Sequence, residues 1–268
     1  MVAVKDIRRA FERLGIVGER VVIHSSLRSF GSVEGGADAL LAEILQSFDT
    51  VMMPAFSFES NAPPPAGDRL ANNGTDYRYY ENWSRPLVPF IVEQANVDAK
   101  MGVLSRRFAA LREVRRSDHP WHSWAAAGSQ ALELTERHDW AIPNLPLERL
   151  AARPSYVLLL GVGLASCTAL HIAEDRAGRR PFVRWAVHRD GQIRRMSVAG
   201  CAKGFGALTP YCERLLARDQ IGPCPVTIAR LPELVAHVAA VLRSRPELTR
   251  CSDECLRCAD AIAGGPRA

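Results

Sequence analysis

The sequence predicts an α/β protein, with a three-layer α/β/α arrangement around a central mixed, mostly parallel sheet. Three observations predict it. Val21–Ile23, Val51–Met53 and Tyr156–Gly161 are short apolar runs of strand length. Amphipathic segments of helical spacing alternate with them, the order expected of strands joined by helical crossovers. At 268 residues and 47% hydrophobic, the chain can bury a sizeable core, and α/β domains of this length are ordinary.

The elements follow in order. Val4, Ile7, Phe11 and Leu14 recur at helical spacing among charges, so residues 4–15 predict an amphipathic helix. A turn at Gly18–Arg20 leads into the buried strand Val21–Ile23. The segment His24-Ser25-Ser26-Leu27-Arg28 and the turn residues Gly31, Gly35 and Gly36 follow. A helix is expected over about Ala37–Phe48, with Leu40, Leu41, Ile44 and Leu45 on one face. Pro54 then stops a second strand at 51–53. Residues 57–90 carry Pro63-Pro64-Pro65, Asn72-Asn73-Gly74 and the aromatics Tyr77, Tyr79, Tyr80 and Trp83. They predict a long irregular loop that the aromatics keep ordered. Short helices are expected at 103–112 and 129–137, with a polar loop at 115–124 between them. Tyr156–Gly161 is the clearest central strand. Residues 182–198 predict a hairpin around Asp190-Gly191, and helices are expected at about 205–217 and 231–243. One domain is expected over 1–268, ending in a cysteine-rich tail at 250–268.

The N-terminus lacks the pattern of a signal peptide, and the longest apolar run, Tyr156–Ala165, is far short of a membrane span of about 20 residues. A soluble cytoplasmic protein is the expectation. The net charge of +5 is compatible with an arginine-rich solvated surface, or with an anionic phosphorylated cofactor. No basic stripe interleaved with aromatics points to nucleic acid, and neither nucleic acid nor membrane is expected as a partner.

Four motifs could carry chemistry. The strand–HSSLRSFGSVEGG–helix segment offers backbone N–H groups, hydroxyls and Arg28 to a phosphate, or is an ordinary serine- and glycine-rich turn. In Thr168-Ala-Leu-His171-Ile-Ala-Glu174, helical spacing sets Glu174 beside His171. The carboxylate would orient the imidazole as a general base, and the Thr168 hydroxyl could donate to an oxyanion. The alternative is Thr168 as a helix cap with a surface His–Glu pair. Arg115-Arg116-Ser117-Asp118-His119-Pro120-Trp121-His122 could be an anion or metal site, or a solvent-exposed loop anchored by Trp121. Cys251, Cys255 and Cys258 could ligate zinc with Cys201 or His237 as fourth ligand. The missing CxxC partner instead favours free or packing cysteines, and no metal site is expected.

In order, HSSLRSFGSVEGGA (24–37), VMMPAF (51–56), RSDHPWHSWAAAG (116–128) and LLGVGLASCTALHIAEDRA (159–177) span most of residues 20–180. Together these blocks resemble the aminoglycoside 3-N-acetyltransferase family. The resemblance implies a three-layer α/β/α fold and an acyltransferase that uses acetyl-CoA and transfers acetyl directly to an amine. It implies coenzyme contacts from His24, Ser25, Ser26, Leu27, Arg28, Val33, Gly35 and Gly36, with Arg116 and Ser117 from the third block. It implies His171 and Glu174 as the catalytic pair, with Thr168 at the thioester carbonyl.

The acceptor site is expected to draw on the 57–90 loop, through Glu59, Asp76, Tyr77 and Glu81. A polycationic aminoglycoside calls for an acidic cleft, whereas this chain is basic, so another small-molecule amine stays open as acceptor. The expected partners are acetyl-CoA and that amine, bound by a monomer or homodimer. A non-catalytic metal-binding protein on the same fold is the competing reading, and its support is the cysteine tail.

Overall fold

The computed structural model describes residues 1–267. In chain order the elements are α1 (Val4–Arg13), β1 (Arg20–Ser25), α2 (Gly36–Ser47), β2 (Thr50–Pro54), β3 (Asn61–Ala62), α3 (Gly102–Ala109), β4 (Arg115–Arg116), β5 (Trp124–Gly128), α4 (Ala131–Thr135) and α5 (Leu145–Ala151). There follow β6 (Tyr156–Leu160), α6 (Leu170–Arg176), β7 (Phe182–Val187), β8 (Ile193–Val198), α7 (Thr209–Cys212), β9 (Ala217–Ile221), β10 (Cys224–Arg230), α8 (Leu231–Ser244) and α9 (Leu256–Ile262).

A seven-stranded sheet in the order β4-β5-β2-β1-β6-β10-β9 forms the middle layer. Alternate residues of its central strands enter two separate cores. Val22, Met52, Val157 and Leu159 pack with α4, α5, α6 and α8 on one face. Val21, Ile23, Val51, Met53, Leu158 and Leu160 pack with α1, α2 and α3 on the other. Burial on both faces explains why these strands appear in sequence as unbroken apolar runs. Each large apolar side chain so buried contributes about 1.5–3 kcal/mol relative to exposure.

The α/β class and the mixed sheet match expectation, but the balance of strand directions does not. Only β1 with β2 and β1 with β6 are parallel. The other pairs, β2–β5, β4–β5, β6–β10 and β9–β10, are antiparallel. Parallel neighbours require a long crossover, whereas β9 and β10 are joined by a tight turn and must run antiparallel. The helix expected at 205–217 is also broken up. It becomes a 3-10 turn at Phe205–Leu208, the four-residue α7 and a second 3-10 turn, after which the chain enters β9. Pro210, which has no N–H to bond to the preceding turn, sits in the first turn of α7. β9 carries mostly polar, exposed residues, as suits an edge strand.

A small second sheet, β3-β7-β8, includes the expected hairpin turning at Asp190-Gly191. One of its faces buries Trp185 and Val187 against Ala62 and Tyr77. The 57–90 segment is largely irregular, and its aromatics hold it to this sheet. The C-terminal edges of the parallel strands β2, β1 and β6 lie side by side, where open α/β sheets collect their ligands.

Candidate functional site

A cavity of about 240 Å³ opens at those strand ends. It is lined by His24 and Ser25 from β1, Pro54 at the end of β2 and Phe56 after it, Lys100 and Met101 before α3, and Val162, Ser166 and Thr168 after β6. The turn after β6 is held against the loop that follows β1. The Ser29 hydroxyl donates to the Gly161 carbonyl at 3.1 Å. Gly161 has φ 70°, and a Cβ there would lie 2.2 Å from the Ser29 side chain, so only glycine fits.

Thr168 borders the cavity and does not cap α6. The capping position is Ala169, and no side-chain cap is made, so the Thr168 hydroxyl is free of that role. His171 follows within the first turn of α6. It is 5% exposed, and its ring packs on Phe205. Its Nδ1–H donates to Glu174 Oε2 at 2.6 Å. That bond leaves Nε2 as the basic nitrogen. Glu174 is 4% exposed, and its other oxygen accepts from Arg179 at 2.6 Å. Burial works to raise the Glu174 pKa. The hydrogen bond and charge of His171 and the charge of Arg179 outweigh it, and the net shift is downward. Arg179 also donates to Thr249 Oγ1 at 2.8 Å and to the Pro246 carbonyl, which fixes the guanidinium. Sequence spacing found the first two members of this relay. It missed Arg179, whose backbone N–H bonds back to the Glu174 carbonyl as the chain leaves the helix.

The remaining expected residues divide. His24 and Ser25 line the cavity, and burial lowers the His24 pKa to about 4, so it stays neutral. Arg28 is exposed, and Ser26, Leu27 and Val33 are half-buried along the same loop. Gly35 and Gly36 open α2, both at positive φ. Arg116 and Ser117 are used internally. Arg116 donates to the Ala55 and Ala95 carbonyls and to the hydroxyls of Ser57 and Ser123. Ser117 is fully buried; it accepts from the Trp124 N–H and donates to His138.

A second cavity, of about 520 Å³, shares Lys100 with the first. The 57–90 loop contributes Tyr79, Tyr80 and Trp83 to its wall, and Trp121 and Trp185 add to the aromatic surface. Its charged groups are Arg85, Lys100, Arg184 and Arg257 against one carboxylate, Asp98. None of the four expected acceptor residues lines it. Glu59 accepts from the Asn96 N–H, and Asp76 caps a 3-10 turn and pairs with Arg78. Tyr77 is tied by its hydroxyl to Leu70 and Asn73, and Glu81 is exposed elsewhere. The side chains that do line it come from five separate stretches of sequence, a convergence that no local spacing signals. A wider surface groove of about 750 Å³ beside α3 contains neither Thr168 nor His24, so size alone does not mark the site.

The histidine-rich loop is buried, against the expectation of a solvent-exposed loop. Burial lowers the pKa of His138 to about 4 and those of His119 and His122 well below the usual value. The folded chain therefore binds fewer protons than the unfolded chain between pH 6.5 and about 4. Stability should be full above pH 6.5 and fall as pH drops through that window. Asp175, raised to about 7 by burial, and Asp118, also raised by burial, act oppositely but are two groups against four. Melting temperatures measured across the window test this, and a flat profile would count against it.

Comparison with known proteins bears on this geometry. The family model for aminoglycoside 3-N-acetyltransferase matches residues 22–243. An aminoglycoside N(3)-acetyltransferase III from Salmonella sp. is 34% identical over 202 residues, covering 70% of this chain and 68% of the relative. The crystal structure of the apoenzyme of aminoglycoside acetyltransferase AAC(3)-IVa superposes with a TM-score of 0.79 at 23% identity, covering 98% of each chain. That of AAC-IIIb, a binary complex with CoASH, superposes with a TM-score of 0.72 at 21% identity, covering 91% of this chain and 97% of the other. The matched stretch begins within β1 and contains β6, α6 and the His171–Glu174–Arg179 relay, and the chain belongs to the aminoglycoside 3-N-acetyltransferase family of acyltransferases.

Proposed function

We propose that this chain transfers the acetyl group of acetyl-CoA directly to an amino group of an aminoglycoside, with His171 as general base. The observation that carries the reading is the buried relay Arg179–Glu174–His171, set one helical turn after a free threonine hydroxyl at the cavity. An ammonium nitrogen has no lone pair for attack, so a proton must leave it; His171 Nε2 takes that proton. The amine nitrogen then bonds to the thioester carbonyl carbon. The Thr168 hydroxyl donates to the oxygen as it gains charge. As the C–S bond breaks, coenzyme A leaves as the thiolate; the nitrogen sheds its second proton, which ends on that sulfur, so amide and thiol form while the first proton passes from His171 to water. Glu174 holds the imidazole by Nδ1 and supports its positive charge.

The loop from Ser25 to Gly36 is the coenzyme side of this reading, with Arg28 and the Ser25-Ser26 turn toward the pyrophosphate. The CoASH complex of a structural neighbour supports the choice of donor. Arg28→Ala should weaken coenzyme A binding by about tenfold, the size of one charge-assisted contact, while turnover at saturation changes little. Calorimetry giving unchanged affinity would remove Arg28 from the coenzyme site.

One observation favours a second reading of the acceptor. Four cations and six aromatic side chains face the larger cavity, with Asp98 the only carboxylate among its described lining residues. That lining repels a polycation and suits an amine that carries an aromatic or anionic group. A thiol-release assay with acetyl-CoA, run across aminoglycosides and across aromatic and acidic amines, separates the two. Turnover of aminoglycosides alone supports the first reading. Turnover of the other amines alone supports the second, and thiol release with no acceptor would sink both.

A further inference from the structure

We infer that Cys201, Cys251, Cys255 and Cys258 bind one structural zinc ion as a tetrathiolate. Three of these cysteines lie in the C-terminal tail, and Cys201 lies in the loop after β8, 50 residues before Cys251. The fold brings the four sulfurs within 4.8 Å of one another. Cys251 and Cys258 are 3.5 Å apart, and Cys201 and Cys251 are 3.8 Å apart. A disulfide would need about 2.05 Å. Four sulfurs arranged tetrahedrally at about 2.3 Å from a zinc ion stand about 3.8 Å from each other. The observed spacing therefore suits one tetrahedral ion and is too wide for a covalent bond. Of the two sequence candidates for fourth ligand, Cys201 joins the cluster. His237 does not; its Nε2 bonds the Tyr211 carbonyl.

The surroundings fit a buried, closed site. Cys201 and Cys258 are buried, and Cys251 and Cys255 are half-buried. The Cys251 backbone N–H points to the Cys258 sulfur at 3.5 Å, the direction in which a thiolate is stabilised. Binding is not a redox step: four thiols give up four protons and the zinc stays divalent, leaving a group of net charge −2. Arg257, one residue before Cys258, lies beside Cys201 and Cys258 in the same crevice and offsets part of that charge. Four ligands fill the coordination sphere and leave no open position, so the ion holds structure and does not act on substrate.

What it would hold is the back of the relay. Glu174 and Arg179 share the crevice with Cys201, Cys258 and Arg257. Arg257 donates to the Ala199 and Gly200 carbonyls of the Cys201 loop. Thr249, two residues before Cys251, accepts from Arg179. A Cβ at Gly204 would lie 1.9 Å from the Thr249 carbonyl, so the two segments are in direct contact. A metal joining Cys201 to the tail would pin the segments that position Arg179. The metal site itself stands whether or not acetyl transfer is the reaction.

Metal analysis of the full chain, purified under reducing conditions without chelator, is the test. We expect one zinc per chain, released when a mercurial blocks the thiols. Cys255→Ser should lose it, while Cys167→Ser and His237→Ala keep it. Exchange with cobalt(II) should produce the visible bands of a tetrahedral thiolate site, a readout that does not depend on activity or on any variant folding. Iron in place of zinc would overturn the identity of the ion. The site itself would be overturned by metal-free protein that also fails to give the cobalt spectrum, by disulfides among these four cysteines in fresh protein, or by full zinc retention in Cys255→Ser.

Discussion

His171→Ala is expected to lower turnover by about 10²–10⁴-fold, the usual contribution of a positioned general base. Binding of acetyl-CoA should be nearly unchanged, because the loop at 25–36, which we propose holds the coenzyme, makes no hydrogen bond to His171 among the described residues. The loss should fall on kcat, since proton removal is needed only in the reacting complex. Glu174→Gln should cost less than His171→Ala. The amide oxygen can still accept from Nδ1, but the negative charge that supports the imidazolium is gone. Steady-state kinetics with matched thermal melts check both variants. Near-normal turnover by a well-folded His171→Ala protein at every pH would place the base elsewhere.

Arg179→Met is expected to destabilise the fold by about 3–5 kcal/mol, the cost of stranding one member of a buried ion pair. Arg179 is 8% exposed and Glu174 is 4% exposed, so water cannot replace the lost guanidinium. Without that cation, burial is opposed by His171 alone and the Glu174 pKa should rise. A more protonated Glu174 holds His171 less well, so activity at neutral pH should fall along with stability. The double variant Glu174→Gln with Arg179→Met leaves no buried unpaired charge at this pair and should regain part of the stability while remaining slow. Denaturant unfolding of the two single variants and the double variant closes the cycle. A loss of less than about 1 kcal/mol in Arg179→Met would mean that the pair is as solvent-screened as a surface bridge.

Much of this protein is legible in its sequence because the relevant forces are local or periodic. β1, β2 and β6 stand out as apolar runs since both of their faces are buried. The β7–β8 hairpin follows from alternation around a glycine turn at positive φ. His171 and Glu174 meet because three residues along a helix bring side chains onto one face, whatever surrounds the helix. Local signals fail where chain segments distant in sequence meet. β9 is a polar edge strand with no apolar pattern to betray it, and with β10 it turns one side of the sheet antiparallel. Asp118, His119 and His122 read as polar residues of an exposed loop, yet the two histidines are buried and neutral beside His138. Glu59, Asp76 and Glu81 supply the carboxylates that spacing could offer, but the cavity wall is built from side chains on other segments. Three tail cysteines fall short of a tetrahedral site until the fold delivers Cys201. Periodicity along one element sets strands, helices and the His–Glu pair. Which charges are buried together, and which thiols converge, depends on how separate elements pack, because desolvation and ligand geometry act through space and not along the chain.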